Sequence, residues 1–166
     1  MRIEELQIGD LLRVNRDGLC IKKWTVVEVR GIDADDNLIE KGLIGSTHCR
    51  PLDDNQFDGG IWCEYLDPIP LTPEILEKNG FIKDKENELS IYYHILIPTG
   101  YEKNSYTIQI TFYKVPIAGV NLLFKCSGWL PPDNCGMNDI HMCNVEYVHQ
   151  VQHALRLCGI EKEIQI

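Results

Sequence analysis

The 166-residue sequence lacks the short motifs that mark many catalytic and nucleotide-binding sites. It has neither of the glycine-rich loops, GxGxxG and GxxxxGK[ST], that cradle phosphates, and no GxSxG turn that would present a nucleophilic serine. It also lacks the HExxH pattern of zinc proteases, because His149 is followed by Gln150 where that chemistry needs a glutamate as general base. The sequence therefore gives no support to an NTPase, a dinucleotide-dependent enzyme, a serine hydrolase or a zinc protease.

Long apolar runs and an excess of basic residues are also missing. The longest strongly apolar stretch, residues 91–97, is interrupted by His94 and is far shorter than the ~20 residues that cross a bilayer. Sixteen basic against 25 acidic residues give a net charge of −9, which repels phosphate backbones and anionic lipid at long range. We therefore expect a protein that binds neither membranes nor nucleic acid directly.

The first residues, Met1 to Glu5, are mixed and acidic and do not have the basic-then-apolar pattern of a secretion leader. A cytoplasmic location is expected on that basis. The cysteines number seven, an odd count, and in a reducing compartment they are expected to remain thiols that pack as small apolar side chains.

Residues 1–70 show a rhythm of short apolar segments and tight turns. Segments such as Leu11–Val14, Trp24–Arg30 and residues 61–66 are typical of strands, and the Asp-Gly pair at 17–18 is a strong turn signal. An open sheet of this length exposes unpaired edges, which closure hides. The pattern predicts a small SH3-like β-barrel over residues 1–70, with Trp24 and Trp62 in its core.

A short helix is predicted after a proline-stiffened connector. Thr72 is placed to cap it, Pro73 suits its first position, and Gly80 suits the left-handed residue that ends a helix. Phe81 would then pack back on Leu76. This helix opens the second predicted region, residues 71–166.

The rest of that region alternates in strand fashion over residues 89–97, 106–112 and 120–126. A C-terminal helix follows, with Asn144 as its cap, Glu146 in its first turn, Arg156 in its last turn and Gly159 as its stop. The predicted fold class is therefore α+β: an N-terminal barrel, then an antiparallel sheet packed by two helices, in one compact unit or two joined lobes.

The C-terminal helix has two chemically different faces. An apolar stripe at three- and four-residue spacing is expected to be buried; it consists of Val148, Val151, Leu155 and Cys158. Polar residues are expected on the flank and outer face, facing water; these are His149, Gln152, His153 and Arg156.

Three segments carry a resemblance to a known group of proteins. Residues 147–164, YVHQVQHALRLCGIEKEI, residues 67–81, DPIPLTPEILEKNGF, and the opening Met1 to Val14 resemble a family of small uncharacterised proteins of gut anaerobic bacteria and their phage-derived or conjugative elements. The resemblance covers under half of the chain and implies a genetic context of mobile elements. It implies no activity.

The predicted loop at 128–143 is too long for a simple turn, and loops of this length are often functional. Its exposed apolar residues would suit a protein partner, because aromatic side chains carry much of the binding energy at interfaces. The candidate partner-binding residues are Trp129, Leu130, Asp133 and Met137.

The same region offers a metal-binding alternative. His149 and His153 stand four apart on one helix, a spacing at which two imidazoles can share a metal ion, and thiols lie nearby in sequence. The paired CxxC spacing of most structural zinc sites is absent. The candidate zinc ligands are Cys135, His141, Cys143, His149 and His153.

Carboxylates cluster in two loops of the first half, and their spacing does not match a calcium-binding loop, since Leu38 stands where glycine is required. They are expected to be solvated turns; the residues are Asp33, Asp35, Asp36, Asp53, Asp54 and Asp58. Taken together, the sequence favours a non-enzymatic interaction protein without a cofactor, binding an unknown protein partner through these acidic loops or the 128–143 loop. In this interpretation the polar side chains serve solubility and docking, and none forms a reactive centre. A zinc-binding domain or metal-dependent enzyme is the alternative, and a nucleic-acid mimic with a continuous negative surface is a third, minor one.

Overall fold

A computed structural model describes most of the chain, with gaps. The backbone is described for residues 5–33, 45–53, 59–98, 105–117, 120–128, 138–157 and 159–166. Side-chain surroundings are described for residues 5–33, 45–53, 59–96, 108–112, 145–157 and 159–166. The chain forms two compact units: Met1–Pro70 with Tyr147–His153, and Leu71–Glu146 with Ala154–Ile166.

The first unit contains an antiparallel sheet of five strands. They are β1 (Leu11–Val14), β2 (Val26–Asp33), β3 (Ser46–Pro51), β4 (Gly59–Trp62) and β5 (Leu66–Pro68). Their order is β4-β3-β2-β1-β5, so the last strand returns to pair with the first. Within the described residues this sheet is open, with β4 and β5 at its edges, and no closed barrel is found.

The core of this unit follows the two-residue period of its strands. Leu12 and Val14 of β1 are fully buried while Arg13 between them is half-buried, and Val27 and Val29 of β2 are buried in the same way. Cys49 of β3 lies in the same cluster, and its burial raises the pKa of the thiol to about 11. The expectation that cysteine packs here as a small apolar side chain is confirmed at this position.

Strand boundaries in the first unit differ from the predicted ones. The predicted strand over residues 61–66 is interrupted by a 3-10 turn at Cys63–Tyr65, and β2 begins at Val26, two residues after the predicted start. β3 was not predicted, because Ser46–Pro51 has little apolar alternation. The Asp-Gly turn is confirmed, with Gly18 at φ +86°, whereas residues 34–44 lie outside the described part of the chain.

The second unit contains a second antiparallel sheet of five strands. They are β6 (Ile82–Glu86), β7 (Ser90–Pro98), β8 (Ser105–Ile117), β9 (Val120–Gly128) and β10 (Asn138–Asn144), in the order β10-β9-β8-β7-β6. The three predicted strands are confirmed as β7, β8 and β9. β10 occupies the end of the segment predicted as a loop at 128–143. The coarse α+β class is confirmed: the described residues form two antiparallel sheets and two helices.

Both ends of helix α1 (Pro73–Lys78) have the capping contacts that the sequence predicts. The Thr72 hydroxyl accepts from the Ile75 N–H at 3.4 Å at the N-terminus. At the other end Gly80 has φ +79°, and the Phe81 N–H donates to the Leu76 carbonyl at 3.0 Å, with both of these side chains buried.

Tyr93 of β7 joins α1 to the second sheet. Its ring is 2 % exposed and meets Phe112 edge-on, with centroids 5.7 Å apart. Its hydroxyl donates to Glu77 of α1 at 3.0 Å. Burial first, and this carboxylate second, raise the pKa of Tyr93 to about 12.

Helix α2 (Val148–Leu157) begins later than predicted. Asn144 belongs to β10 and does not cap the helix, and Glu146 lies before the first turn. Instead the Tyr147 N–H donates to the side-chain oxygen of Gln150 at 3.2 Å, which is one half of a capping box.

The C-terminus of α2 has the residues and the glycine conformation that the sequence predicts. Arg156 lies in the last turn, and Gly159 has φ +71°. The N–H groups of Gly159 and Ile160 donate to the carbonyls of Arg156 and Leu155, each at 2.9 Å, which is a complete Schellman ending. Three of the four predicted stripe residues are buried, Val148, Val151 and Leu155; the fourth, Cys158, lies outside the described residues.

Candidate interaction surface and a buried histidine cluster

Gln152 of α2 binds the backbone that leads into β1. Its side-chain oxygen accepts from the Leu11 N–H at 3.2 Å, and its side-chain nitrogen donates to the Gly9 carbonyl at 3.1 Å. The amide is 5 % exposed, and it supplies a hydrogen-bond acceptor to a buried backbone group, the Leu11 N–H. The sequence places this residue on a solvent-facing flank, and that prediction is wrong.

His153 binds the carboxylate of Asp10, which lies between those two backbone contacts. Its Nε2 atom is 2.8 Å from one carboxylate oxygen and 2.9 Å from the other. The side chain of Asp10 is fully buried, and its second oxygen also accepts from the Gln7 N–H at 2.8 Å. An ionised carboxylate only accepts hydrogen bonds, so this contact needs a proton on Nε2 whenever Asp10 is ionised.

His149 completes a cluster of two histidines and one aspartate. It is 3 % exposed, its ring stacks on Tyr147 with centroids 5.8 Å apart, and it meets His153 edge-on at 5.6 Å. Its Nδ1 atom has no hydrogen-bond partner among the described residues. Burial lowers the pKa of His149, so the neutral imidazole is favoured.

This cluster overturns two expectations. His149 is buried and His153 is only partly exposed, and the latter's imidazole meets a buried acid, so the polar side chains do not serve only solubility and docking to partners. The geometry is that of a buried contact which ties the helix to the start of β1. The sequence did not indicate it, because 143 residues separate His153 from Asp10.

The zinc alternative stays a prediction. Cys135 lies outside the described residues, and so do the side chains of His141 and Cys143. Across the part of the chain that is described, no group of three histidine, cysteine, aspartate or glutamate side chains is arranged to hold a metal ion.

Several predicted binding residues also fall outside the description. The four partner-binding candidates do so, namely Trp129, Leu130, Asp133 and Met137. Of the acidic loop residues, Asp35, Asp36, Asp54 and Asp58 do so as well. Asp33 is described, and its carboxylate lies 3.1 Å from His48 Nε2 on the exposed surface.

The two strand tryptophans are exposed, not buried as predicted. Trp24 is 58 % exposed and Trp62 is 45 % exposed. Trp62 lies on the edge strand β4 with its side chain away from the core, whereas Ile61 beside it is buried. Trp24 precedes β2 and follows two lysines, a context that could have indicated a surface position.

Trp24 also has an unusual backbone. Its φ is +71°, and among the described residues it is the one non-glycine residue with a positive φ. The conformation is held by its N–H, which donates to the Val14 carbonyl at 2.7 Å. The Lys23 ammonium lies 4.9 Å from the ring centroid. A bulky residue in this region is strained, and such strain is concentrated at functional positions.

Other exposed or aromatic side chains lie at the same end of the first sheet. The Leu52 N–H donates to the Val26 carbonyl at 3.1 Å, which places Leu52, 53 % exposed, at the strand start that follows Trp24. On the other side of β1, the Asn15 N–H donates to the Tyr65 carbonyl at 2.9 Å.

Tyr65, like Trp24, has a cation above its aromatic ring. The Arg16 guanidinium carbon lies 4.4 Å from its ring centroid, and a hydrogen bond to Glu64 raises the pKa of the phenol. We call the side chains at this end of the sheet the Trp24 end; its members are Arg16, Lys22, Lys23, Trp24, Leu52 and Tyr65.

Comparison of the chain with protein-family models, with curated proteins and with solved structures finds no match. Among the described residues, no helix combines the length and apolarity that a membrane span requires.

Proposed function

We propose that this chain is a non-enzymatic interaction protein that binds a protein partner through the Trp24 end. One observation carries the proposal: a tryptophan that is 58 % exposed is held at φ +71°. The conformation costs roughly 1–3 kcal/mol, and the exposed ring adds little core packing in return. A binding role explains why a large aromatic stands there.

Tryptophan and tyrosine anchor interfaces because they bury a large area with few rotatable bonds. The Trp24 end supplies both, together with the exposed Leu52. Strand addition is disfavoured at edge strand β5, which contains Pro68, and at edge strand β6, which contains alternating charges in Lys83, Asp84 and Lys85. At the Trp24 end, which lies beside β5, we therefore expect binding through side chains.

We propose that the first sheet curls into a partly closed barrel of the SH3 type. Two features support this: β5 returns to pair with β1, and the register between β2 and β3 shifts between Val29 and Gly31. A bulge of this kind sharpens strand bending and twist. A curled sheet would bring the ends of neighbouring strands onto one convex rim, where the Trp24 end lies.

We also propose that the chain belongs with the small mobile-element proteins that it resembles and acts in the cytoplasm. The resembling segments contact one another: Gln152 binds Gly9 and Leu11, and the Val148 N–H donates to the Ile69 carbonyl at 2.9 Å. The segments that carry the resemblance are therefore ones that hold this part of the fold together. The Trp24 end lies outside the three motifs, so related proteins are free to differ there.

The test is capture from an extract of the source organism, using the full chain and two variants. Trp24→Ala removes the proposed anchor. Trp62→Ala is the matched control, since it removes another exposed tryptophan of the same unit, at the opposite end of the sheet. The proposal expects one partner that wild type and Trp62→Ala recover and Trp24→Ala loses, and that binds the purified wild-type chain directly.

Circular dichroism of each variant verifies that the fold is retained. Recovery that is equal with Trp24→Ala and wild type would contradict the proposal. So would the absence of any directly binding partner.

A further inference from the structure

The segment that follows helix α2, residues 160–166, is held at the C-terminal end of α1 by side chains that bind its backbone. The amide of Asn79 binds Gln165 twice. Its nitrogen donates to the Gln165 carbonyl and its oxygen accepts from the Gln165 N–H, each at 2.8 Å. The Lys78 ammonium donates to the Ile166 carbonyl. A neighbouring strand makes the same pair of bonds to one residue in an antiparallel sheet, so the Asn79 side chain acts in place of a strand.

The amide of Asn79 is buried and depends on this segment. It is 5 % exposed, and its nitrogen also donates to the Ile75 carbonyl of α1 at 2.7 Å. An asparagine amide can make about four hydrogen bonds, and Gln165 supplies two of the three described here. A buried polar group that loses its partners is costly. This position therefore requires an extended backbone beside it.

The side chains of the segment alternate between buried and exposed. Ile164 is 5 % exposed, while its neighbours Glu163 and Gln165 are exposed. A period of two is typical of an extended chain. Extended peptides are recognised by main-chain hydrogen bonds that give affinity and by sites for alternate side chains that give specificity. Lys78, Asn79 and the site that buries Ile164 together have these two features, and we call them the α1 groove.

We propose that the α1 groove is a peptide-binding site that accepts residues 160–166 of a second copy in place of its own, so that two chains associate by exchanging this segment. The segment seated in the groove defines the ligand: an extended peptide with an aliphatic side chain just before the residue that Asn79 binds. Exchange needs no new contact, because each segment makes in the other copy the bonds that it makes in its own. The α1 groove uses no residue of the Trp24 end.

The length of the segment limits how the two copies can meet. It follows Gly159, which ends α2 at φ +71°, and its seven residues reach at most about 25 Å when extended. Gly159 of one copy and α1 of the other must therefore lie within that distance. A chain's own segment competes at an effective concentration in the millimolar range. The unexchanged chain is therefore the resting state at micromolar concentration.

The first test measures peptide binding to the full-length Ile164→Asp chain. A carboxylate at this buried position should release the chain's own segment and open the groove. The probe is a fluorescent synthetic peptide with the sequence of residues 160–166, IEKEIQI. By fluorescence anisotropy it should bind this variant at least tenfold more tightly than wild type, whose own segment competes. The control peptide IEKEDQI should not bind.

A second substitution locates the binding site. Asn79→Ala, added to Ile164→Asp, should weaken binding of the IEKEIQI peptide at least tenfold. Asn87→Ala, added instead, should leave binding unchanged, since it removes another asparagine of the same unit, in the turn before β7. Circular dichroism verifies that each variant is folded. If Ile164→Asp does not fold, Gln165→Pro replaces it with the same expected results, because proline lacks the N–H from which Asn79 accepts.

The exchange itself is tested by mixing two variants. Asn79→Ala has an intact segment and a damaged groove, whereas Ile164→Asp has an intact groove and a damaged segment. Sedimentation equilibrium should show more dimer in the mixture than in either variant alone. The proposal is overturned if the IEKEIQI peptide does not bind, if it binds wild type and Ile164→Asp equally, or if Asn79→Ala leaves its binding unchanged. A mixture that associates no more than its components also overturns it.

Discussion

The carboxylate of Asp10 and the imidazole of His153 form a buried contact across 143 residues of sequence, at 2.8 and 2.9 Å from Nε2 to the two oxygens. Asp10 is fully buried and also accepts from the backbone N–H of Gln7, so its side chain depends on protein groups for its hydrogen bonds. The contact fixes the position of α2 on the start of β1. Its removal tests how strongly the first unit depends on it.

We expect Asp10→Ala to destabilise the protein by about 3 kcal/mol, the order found when one partner of a buried pair is removed. The variant leaves His153 and the Gln7 N–H without their acceptor. Urea unfolding followed by circular dichroism measures the change. Asp17→Ala, in the exposed turn before Gly18, is the matched control and should change stability by less than about 0.5 kcal/mol. Equal effects would contradict the structural role of the pair.

Stability should fall as the pH drops below the ordinary histidine range. Burial lowers the pKa of His149 below 6.5 in the folded protein, whereas the unfolded chain titrates near 6.5. Below pH 6.5 the unfolded chain binds a proton at His149 more readily than the folded protein does. The contribution of His149 to the free energy of unfolding is therefore complete above pH 6.5 and is lost as the pH falls towards the lower pKa of the folded protein. Asp10 and Glu5 oppose this shift by attracting a proton, and His153 reinforces it.

The measurement for His149 is the free energy of unfolding from pH 5 to pH 8. His149→Phe keeps an aromatic ring on Tyr147 and removes the titrating group, so its profile should be flatter than that of wild type in this range. Parallel profiles for the two proteins would show that His149 does not titrate with a lowered pKa.

The backbone strain at Trp24 predicts an unusual order of stability between two variants. Alanine at φ +71° keeps the strain and glycine relieves it. After allowance for the greater freedom of glycine in the unfolded chain, Trp24→Gly should be more stable than Trp24→Ala by roughly 0.5–1 kcal/mol. Thermal unfolding of both variants measures the difference, and a more stable alanine variant would show that the conformation is not strained.

The Schellman ending of α2 predicts a cost for a side chain at Gly159. An added Cβ would meet no neighbouring atom there, so the cost comes from φ +71° alone and should be about 1 kcal/mol. Gly60→Ala is the control, since it also meets nothing and has no positive φ. Chemical unfolding of the two variants compares them. A loss of stability in both would point to a cause other than the backbone angle.

Local signals in the sequence determined both ends of α1, the C-terminus of α2 and most strands. Thr72, Gly80 and Gly159 act on backbone groups within a few residues, so their roles follow from their neighbours in the chain. The alternation over residues 89–97, 106–112 and 120–126 likewise identified three strands of the second sheet. β3 (Ser46–Pro51) was not predicted, because its alternating buried residues include Thr47 and Cys49, and these residue types give only a weak apolar signal.

The sequence by itself determined an α+β chain with one helix capped at both ends and a second helix capped at its C-terminus, because caps, turns and strand alternation depend on interactions between near neighbours. Only the tertiary structure decided which polar residues are buried and which tryptophans are exposed. Gln152 and His153 lie on a helix face whose sequence is typical of a solvent-exposed surface, but the segment Gly9–Leu11, more than 140 residues away, supplies its hydrogen-bonding groups. Trp24 resembles a core residue until the backbone bond to Val14 turns it outward. The first outcome depends on a partner more than 140 residues away and the second on a residue ten positions away, and a sequence pattern does not specify which of these groups will meet.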